Sequence, residues 1–264
     1  MSPSWLKRKF GITTLRLGQD AVWIVPRRGH ERDAKMSEFV LPEGRQDGPA
    51  WQAQVKALQR LLQRQEKSAL PQKLRVVVSN AFVRYVLAPW TDEQLSDTEQ
   101  LELVRALFQD RYGDLDGQWH IVIEPRRYKA PALAVAIDAG LLAALQDTCA
   151  KAGLRLDSVV PALIENLYQQ RRPLNKAASG WFVDASDSRL ATLSFCNSHW
   201  ANVSNERCAE TVSGVAGALL PMLRRDAILT PALLGGTVFV ANTRAVEGVA
   251  PSWPVIRCSG LDMP

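Results

Sequence analysis

Trp181–Phe195 reads WFVDASDSRLATLSF. Trp181–Asp184 reads as a strand, Ala185–Arg189 is a polar turn, and Leu190–Phe195 returns as a second strand. An earlier stretch, Gly11–Val25 (GITTLRLGQDAVWIV), has the same form. It gives a strand to Leu17, a turn at Gly18-Gln19-Asp20 and a strand from Ala21. The segments after the two hairpins also match. After the first come a strand at Ser37–Leu41, a break at Asp47-Gly48-Pro49 and a helix. That helix places Trp51, Val55, Leu58 and Leu62 on one face, ends by Pro71, and precedes the apolar strand LRVVV at Leu74–Val78. After the second come a strand at His199–Val203, a helix over Glu206–Arg225 containing Pro221, and the strand GTVFVA at Gly236–Ala241. The order β-β-β-α-β occurs twice, as a repeat of topology and not of sequence.

Between the repeats, Phe82–Leu87 reads as a strand. Pro89-Trp90-Thr91 leads into a helix with Thr91 as N-cap, Leu101, Val104 and Phe108 as its apolar face, and Gly113 at its end. Strands are expected at Trp119–Ile123 and Leu133–Ile137, with Arg126-Arg127 in the loop between them. Asp138 stands as N-cap of a helix over Ala139–Ala152 that Gly153 closes. Leu154–Val160 is a short strand, Pro161 opens a helix over Ala162–Gln170, and Arg171–Asn175 is a link. The pattern is that of a two-lobed α/β protein.

The 264 residues are 47% hydrophobic and 22% charged, a globular balance that excludes disordered, collagenous and coiled-coil classes. The longest apolar candidate, Val212–Leu223, holds Pro221 and falls short of the roughly 18 residues of a membrane span. MSPSWLKRKF has basic residues but no apolar stretch behind them, so a cytoplasmic location is expected. Trp5 beside Lys7, Arg8 and Lys9 is a candidate contact with a membrane or partner. Cys149, Cys196, Cys208 and Cys258 are widely spread, and His30, His120 and His199 have no ligand spacing, so reduced thiols and no metal site are expected. Asp114, Asp116 and His120 read as a solvated loop. The net charge of +5 is scattered over short basic pairs, without the stripe that nucleic acid would call for. G-x-S-x-G, G-x-x-x-x-G-K-[ST] and H-E-x-x-H are all missing.

The duplicated order resembles that of the actin-like ATPase superfamily, which includes sugar kinases, 70-kDa heat-shock chaperones, actin and FtsA. Three stretches resemble the PilM family of type IV pilus assembly and, equally, the cytoplasmic part of the type II secretion L subunit. They are Arg75–Trp90 (RVVVSNAFVRYVLAPW), Ala134–Pro161 (AVAIDAGLLAALQDTCAKAGLRLDSVVP) and Trp181–Phe195. The resemblance implies an actin-like fold, two ribonuclease-H-like lobes with an inserted α+β subdomain. Residues 1–80 with 154–178 would form the first lobe, 81–153 the insertion, and 179–264 a shortened second lobe.

It also implies where a nucleotide would lie: two turns of D-x-G type would hold phosphates and Mg²⁺ between the lobes. Arg16-Leu17-Gly18 stands at the first turn, with Arg in place of Asp, and an arginine supports no Mg²⁺. Asp184-Ala185-Ser186 stands at the second, with Ser in place of Gly. Gly235-Gly236 precedes its strand instead of following it, where Asn242-Thr243 stands. Arg16, Gly18, Asp184 and Ser186 thus outline a degenerate nucleotide cleft, with no catalytic residue, metal or cofactor expected. The resemblance implies a non-catalytic scaffold, cytoplasmic and peripheral to the bacterial inner membrane through its partners. It would dock a PilN-like tail of a membrane subunit in a groove between residues 81–153 and the first lobe, couple to a motor ATPase, and pair with a second copy. The alternative is a nucleotide-binding ATPase that uses ATP and Mg²⁺ in the inter-lobe cleft.

Overall fold

A computed structural model describes residues 12–25, 38–40, 49–64, 73–113, 119–125, 127–209, 212–241 and 253–257. Trp5, Lys7-Arg8-Lys9, His30, Asp114, Asp116, Arg126, Asn242-Thr243 and Cys258 lie outside the described residues.

The first five-stranded sheet is built from β1 (Ile12–Leu17), β2 (Ala21–Val25), β3 (Glu38–Val40), β4 (Lys73–Val78) and β8 (Arg155–Pro161), in the order β3-β2-β1-β4-β8. The first three strands are antiparallel; β4 and β8 join in parallel. A parallel strand needs a crossover. For β4 the crossover contains α1 (Gln52–Arg64), and for β8 it contains α3 (Ala139–Lys151). On α1, Val55, Leu58 and Leu62 are buried as their spacing predicts, together with Gln54, Ala57 and Leu61. Each such leucine contributes roughly 1.5–3 kcal/mol. Trp51 ends just outside the helix, and its indole Nε1 donates to Asp138 Oδ2 at 2.9 Å. Asp138 is the N-cap of α3 and accepts from the backbone N–H groups of Gly140 and Leu141.

The second sheet repeats the first. It holds β9 (Ser179–Ser186), β10 (Arg189–Cys196), β11 (His199–Arg207), β12 (Thr237–Ala241) and β13 (Val255–Arg257), in the order β11-β10-β9-β12-β13. Again three antiparallel strands are followed by two parallel ones. Helix α6 (Val212–Leu229) covers it, burying Val215, Leu219, Met222, Leu223 and Ala227 against Trp181, Val183, Leu190 and Val238. Pro221 faces outward, so its missing N–H falls on the solvent side and the helix continues to Leu229. The helix starts at Val212 and not at Glu206, because β11 stays paired as far as Arg207 opposite Arg189. The three-residue β13 carries too little pattern to be read from sequence.

A third sheet, β5-β7-β6, comes from the middle of the chain: β5 (Val83–Ala88), β6 (Trp119–Ile123) and β7 (Ala132–Asp138). Helix α2 runs over Asp97–Tyr112. Its cap is Ser96 and not Thr91: the Ser96 hydroxyl accepts from Glu99 N–H while the Glu99 carboxylate accepts from Ser96 N–H. Thr91 instead donates its hydroxyl to Glu93 O. Arg171–Leu174, expected as a link, forms the short helix α5 after α4 (Ala162–Gln169).

By internal contacts the chain divides into two compact units. Unit 1 is Met1–Val83, Gly117–His120 and Ile137–Ala162; unit 2 is Arg84–Asp116, Ile121–Ala136 and Leu163–Pro264. Residues 81–153 are therefore shared between units. Helix α3 packs on α1 and β8 of the first sheet. Helix α2 is tied to the second by Arg111, which donates to Val203 O at 2.7 Å, and the residue after β6 is tied to it by Trp200, whose Nε1 donates to Glu124 Oε2 at 2.8 Å.

Candidate functional site

In the first unit, the turn after β1 holds Arg16 and Gly18. Gly18 N–H donates to Ala21 O at 2.9 Å and closes its own hairpin. A Cβ at Gly18 would stand 2.8 Å from the Trp23 ring and 2.9 Å from Ala21 O, so only glycine fits beneath that indole. Trp23 faces Arg16 across the β1–β2 pair, and both are buried. Gln54 of α1 donates its side-chain amide to Gln19 O, holding the turn from the helix side. At the end of β4, Ser79 N–H donates to Leu17 O at 2.8 Å. A 3-10 turn over Asn80–Phe82 follows.

In the second unit, Asp184 does not lie at a turn. Strand β9 runs on to Ser186, and the turn is only Asp187-Ser188, at φ of 53° and 54°. Two successive positive φ values are the type I′ geometry that matches strand twist. The five-residue turn expected at Ala185–Arg189 is corrected accordingly. Asp184 pairs with Ala191 on one side and Ala241 on the other, and it is fully buried. Its Oδ2 accepts from Asn166 Nδ2 of α4 at 3.1 Å. Tyr85 of β5 is also fully buried, and its phenol is pushed well above the usual tyrosine range. Burial is the main cause, followed by the negative charges of Asp184 and Tyr112. Tyr112 locks the Tyr85 backbone, its hydroxyl donating to Tyr85 O at 2.9 Å and accepting from Tyr85 N–H. Ser186 closes β9 opposite Arg189, its buried Oγ without a hydrogen-bond partner among the described residues.

Arg16 and Gly18 therefore share one hairpin of unit 1, and Asp184 and Ser186 share one strand of unit 2. Gly236 sits before β12, where a Cβ would crowd Trp181, Gly180 and Leu233 O. Among the described residues, no three His, Cys, Asp or Glu side chains gather as a metal site, and Cys149, Cys196 and Cys208 are free thiols. No described helix is long and apolar enough to cross a membrane.

No family model matches the chain, and no curated protein matches it. Solved structures do. A chain of the PilM–PilN type IV pilus biogenesis complex matches with a TM-score of 0.65 at 12% identity, over 95% of this chain and 89% of that one. A Bacteroides thetaiotaomicron protein of unknown function with an actin-like ATPase fold matches at 0.61 and 9%, over 100% and 96%. The fold is actin-like. The cytoplasmic domain of EpsL, an inner-membrane component of the Vibrio cholerae type II secretion system, matches at 0.56 and 12%, over 94% and 90%.

In this actin-like chain, sequence reasoning located the two hairpins but missed Trp23, Asn166 and Tyr85. A hairpin turning at residues 18–20 does place Trp23 opposite Arg16. Asn166 carried a weaker signal, a polar residue one position after Glu165 in the apolar first two turns of its helix.

Proposed function

We propose that this chain is a non-hydrolysing scaffold of a type IV pilus or type II secretion inner-membrane platform, where it docks the cytoplasmic tail of a PilN-like membrane subunit. One observation carries the reading: the groups that would serve phosphates are engaged within their own lobes. The Gly18 N–H closes its hairpin and the Trp23 indole lies on its bare face. Asp184 is enclosed in a strand and bonded to Asn166. Hydrolysis needs phosphate loops and a metal together. The likeness of fold to the PilM–PilN complex and to the EpsL cytoplasmic domain supports the platform role. On this reading the chain sits beside the inner membrane through its partners, couples to the motor ATPase, and pairs with a second copy.

The test combines two measurements on the full chain. Peptides covering the cytoplasmic tails of the membrane subunits encoded beside it are titrated by fluorescence anisotropy, and one of them is expected to bind. Thermal unfolding is then followed with and without millimolar Mg-ATP. A ligand at about 100 times its Kd adds roughly 2.7 kcal/mol, a few degrees for a chain of this size. No shift is expected. A clear upward shift with no tail bound would replace the scaffold by a nucleotide-binding protein with Arg16 among the phosphates.

A further inference from the structure

The second unit gathers four arginines, two of them against the ring of one tyrosine. Arg84 comes from β5, Arg111 from the last turn of α2, Arg189 from the start of β10 and Arg207 from the end of β11. The guanidinium carbons of Arg84 and Arg111 lie 5.6 and 5.7 Å from the centre of the Tyr112 ring. Arg189 and Arg207 stand directly opposite each other across the antiparallel pair. Like charges in that position are destabilising. Burial, then the neighbouring charges of Arg84 and Arg207, lower the proton affinity of Arg189, while Tyr112 and Cys208 act in the other direction. Glu206, next to Arg207, is turned toward Arg225 at 3.6 Å.

The patch is also held in place. The Tyr112 hydroxyl is bonded to the Tyr85 backbone, so its ring is a fixed support for two guanidiniums. Arg111 is anchored further by its bond to Val203 O. Arg111 and Arg207 are exposed, and Arg84 and Arg189 half-buried. A repulsive arrangement kept rigid and open to solvent is complementary to negative charge brought from outside.

We propose that this patch docks an extended acidic segment of a partner protein. Guanidinium forks pair with carboxylates two bonds at a time. The forks of Arg111, Arg189 and Arg207 come from three elements, so they suit several carboxylates better than one compact anion. An extended segment sets alternate side chains on one face about 7 Å apart, which brings successive carboxylates to different arginines.

The probe is a fluorescein-labelled peptide of alternating Glu and Ser, titrated by anisotropy into the full chain at low salt. Its counterpart of alternating Lys and Ser is the charge control. Arg207→Gln, exposed at a strand end, is expected to weaken binding about tenfold or more, as loss of a charge-assisted bond does. Arg111→Gln should do the same, with circular dichroism showing that the fold survives. Arg172→Gln, exposed on α5, removes equal charge elsewhere and should change binding less than twofold. Equal weakening by Arg172→Gln would reduce the effect to net charge and overturn the proposal, as would failure of the acidic peptide to bind. Inorganic pyrophosphate is titrated in parallel. Tight pyrophosphate binding, lost in Arg207→Gln, with no peptide binding would replace the acidic segment by a phosphate ligand.

Discussion

The indole of Trp23 covers the bare α-carbon of Gly18, with ring atoms 2.8 to 2.9 Å from where a Cβ would be. In this fold such a glycine is expected to leave room for a phosphate; here a side chain of the neighbouring strand takes that room. Gly18→Ala should therefore destabilise by about 1–3 kcal/mol, the range of overpacking in a filled interior. The cost should fall, though not vanish, in Gly18→Ala/Trp23→Ala relative to Trp23→Ala alone, because the ring atoms are gone while Ala21 O stays. Urea midpoints of the four proteins close that cycle, and strict additivity would dismiss the contact.

Asp138 does two jobs in unit 1, capping α3 and accepting from Trp51. Asp138→Ala should cost about 2 kcal/mol, roughly one for the cap and one for the indole left without its acceptor. Asp138→Asn keeps one acceptor oxygen and should cost less than half of that. Chemical denaturation of both variants is the check.

Asp226 is its counterpart in unit 2. It is buried, accepting from Trp181 Nε1 at 3.2 Å and from Asn202 Nδ2 at 2.7 Å. Asp226→Ala leaves two donors without that acceptor and should destabilise by about 3 kcal/mol or more. If its melting temperature stayed within one degree of the parent, the network would have no structural weight.

Alkaline pH should weaken the fold in two stages. Burial pushes the Cys149 thiol up to about 11, from 9.0. Burial, with the charges of Asp184 and Tyr112, holds Tyr85 well above its usual 10.0. Both folded values are raised, so the folded state holds protons that the unfolded state releases. The contribution is complete below about pH 9 and is lost as pH rises toward the folded values, at up to about 1.4 kcal/mol per pH unit for each group. Cys149→Ala should flatten the fall between pH 9 and 11, and Tyr85→Phe the fall above 10. Stability curves at several pH values test both.

Much of this architecture was legible because periodicity reports burial. The run LRVVV, the face of Val55, Leu58 and Leu62, and the caps Asp138 and Gly153 came through where expected. One miss was local: Thr91 and Ser96 can both cap, and the reciprocal bond to Glu99, three residues after Ser96, selects Ser96. The others were decided across space. Asp184 looked like a turn residue because Ser186, Asp187 and Ser188 come after it, yet pairing with β10 and β12 extends the strand past it. The Arg189–Arg207 pair is set by register between residues eighteen positions apart, which no local pattern carries.

Strands β9, β10 and β11 are joined by two-residue turns, Asp187-Ser188 and Asn197-Ser198, each with consecutive positive φ. Their contacts are therefore the most local of any in the second sheet, whereas β12 joins β9 only after the chain has passed through α6. Short loops close in tens of nanoseconds and hairpins in microseconds, while parallel partners wait on long closures. The meander is thus the natural nucleus of unit 2. Its assembly puts Asp184 in mid-strand before β12 closes beside it, so a late step of folding seals this carboxylate away from water.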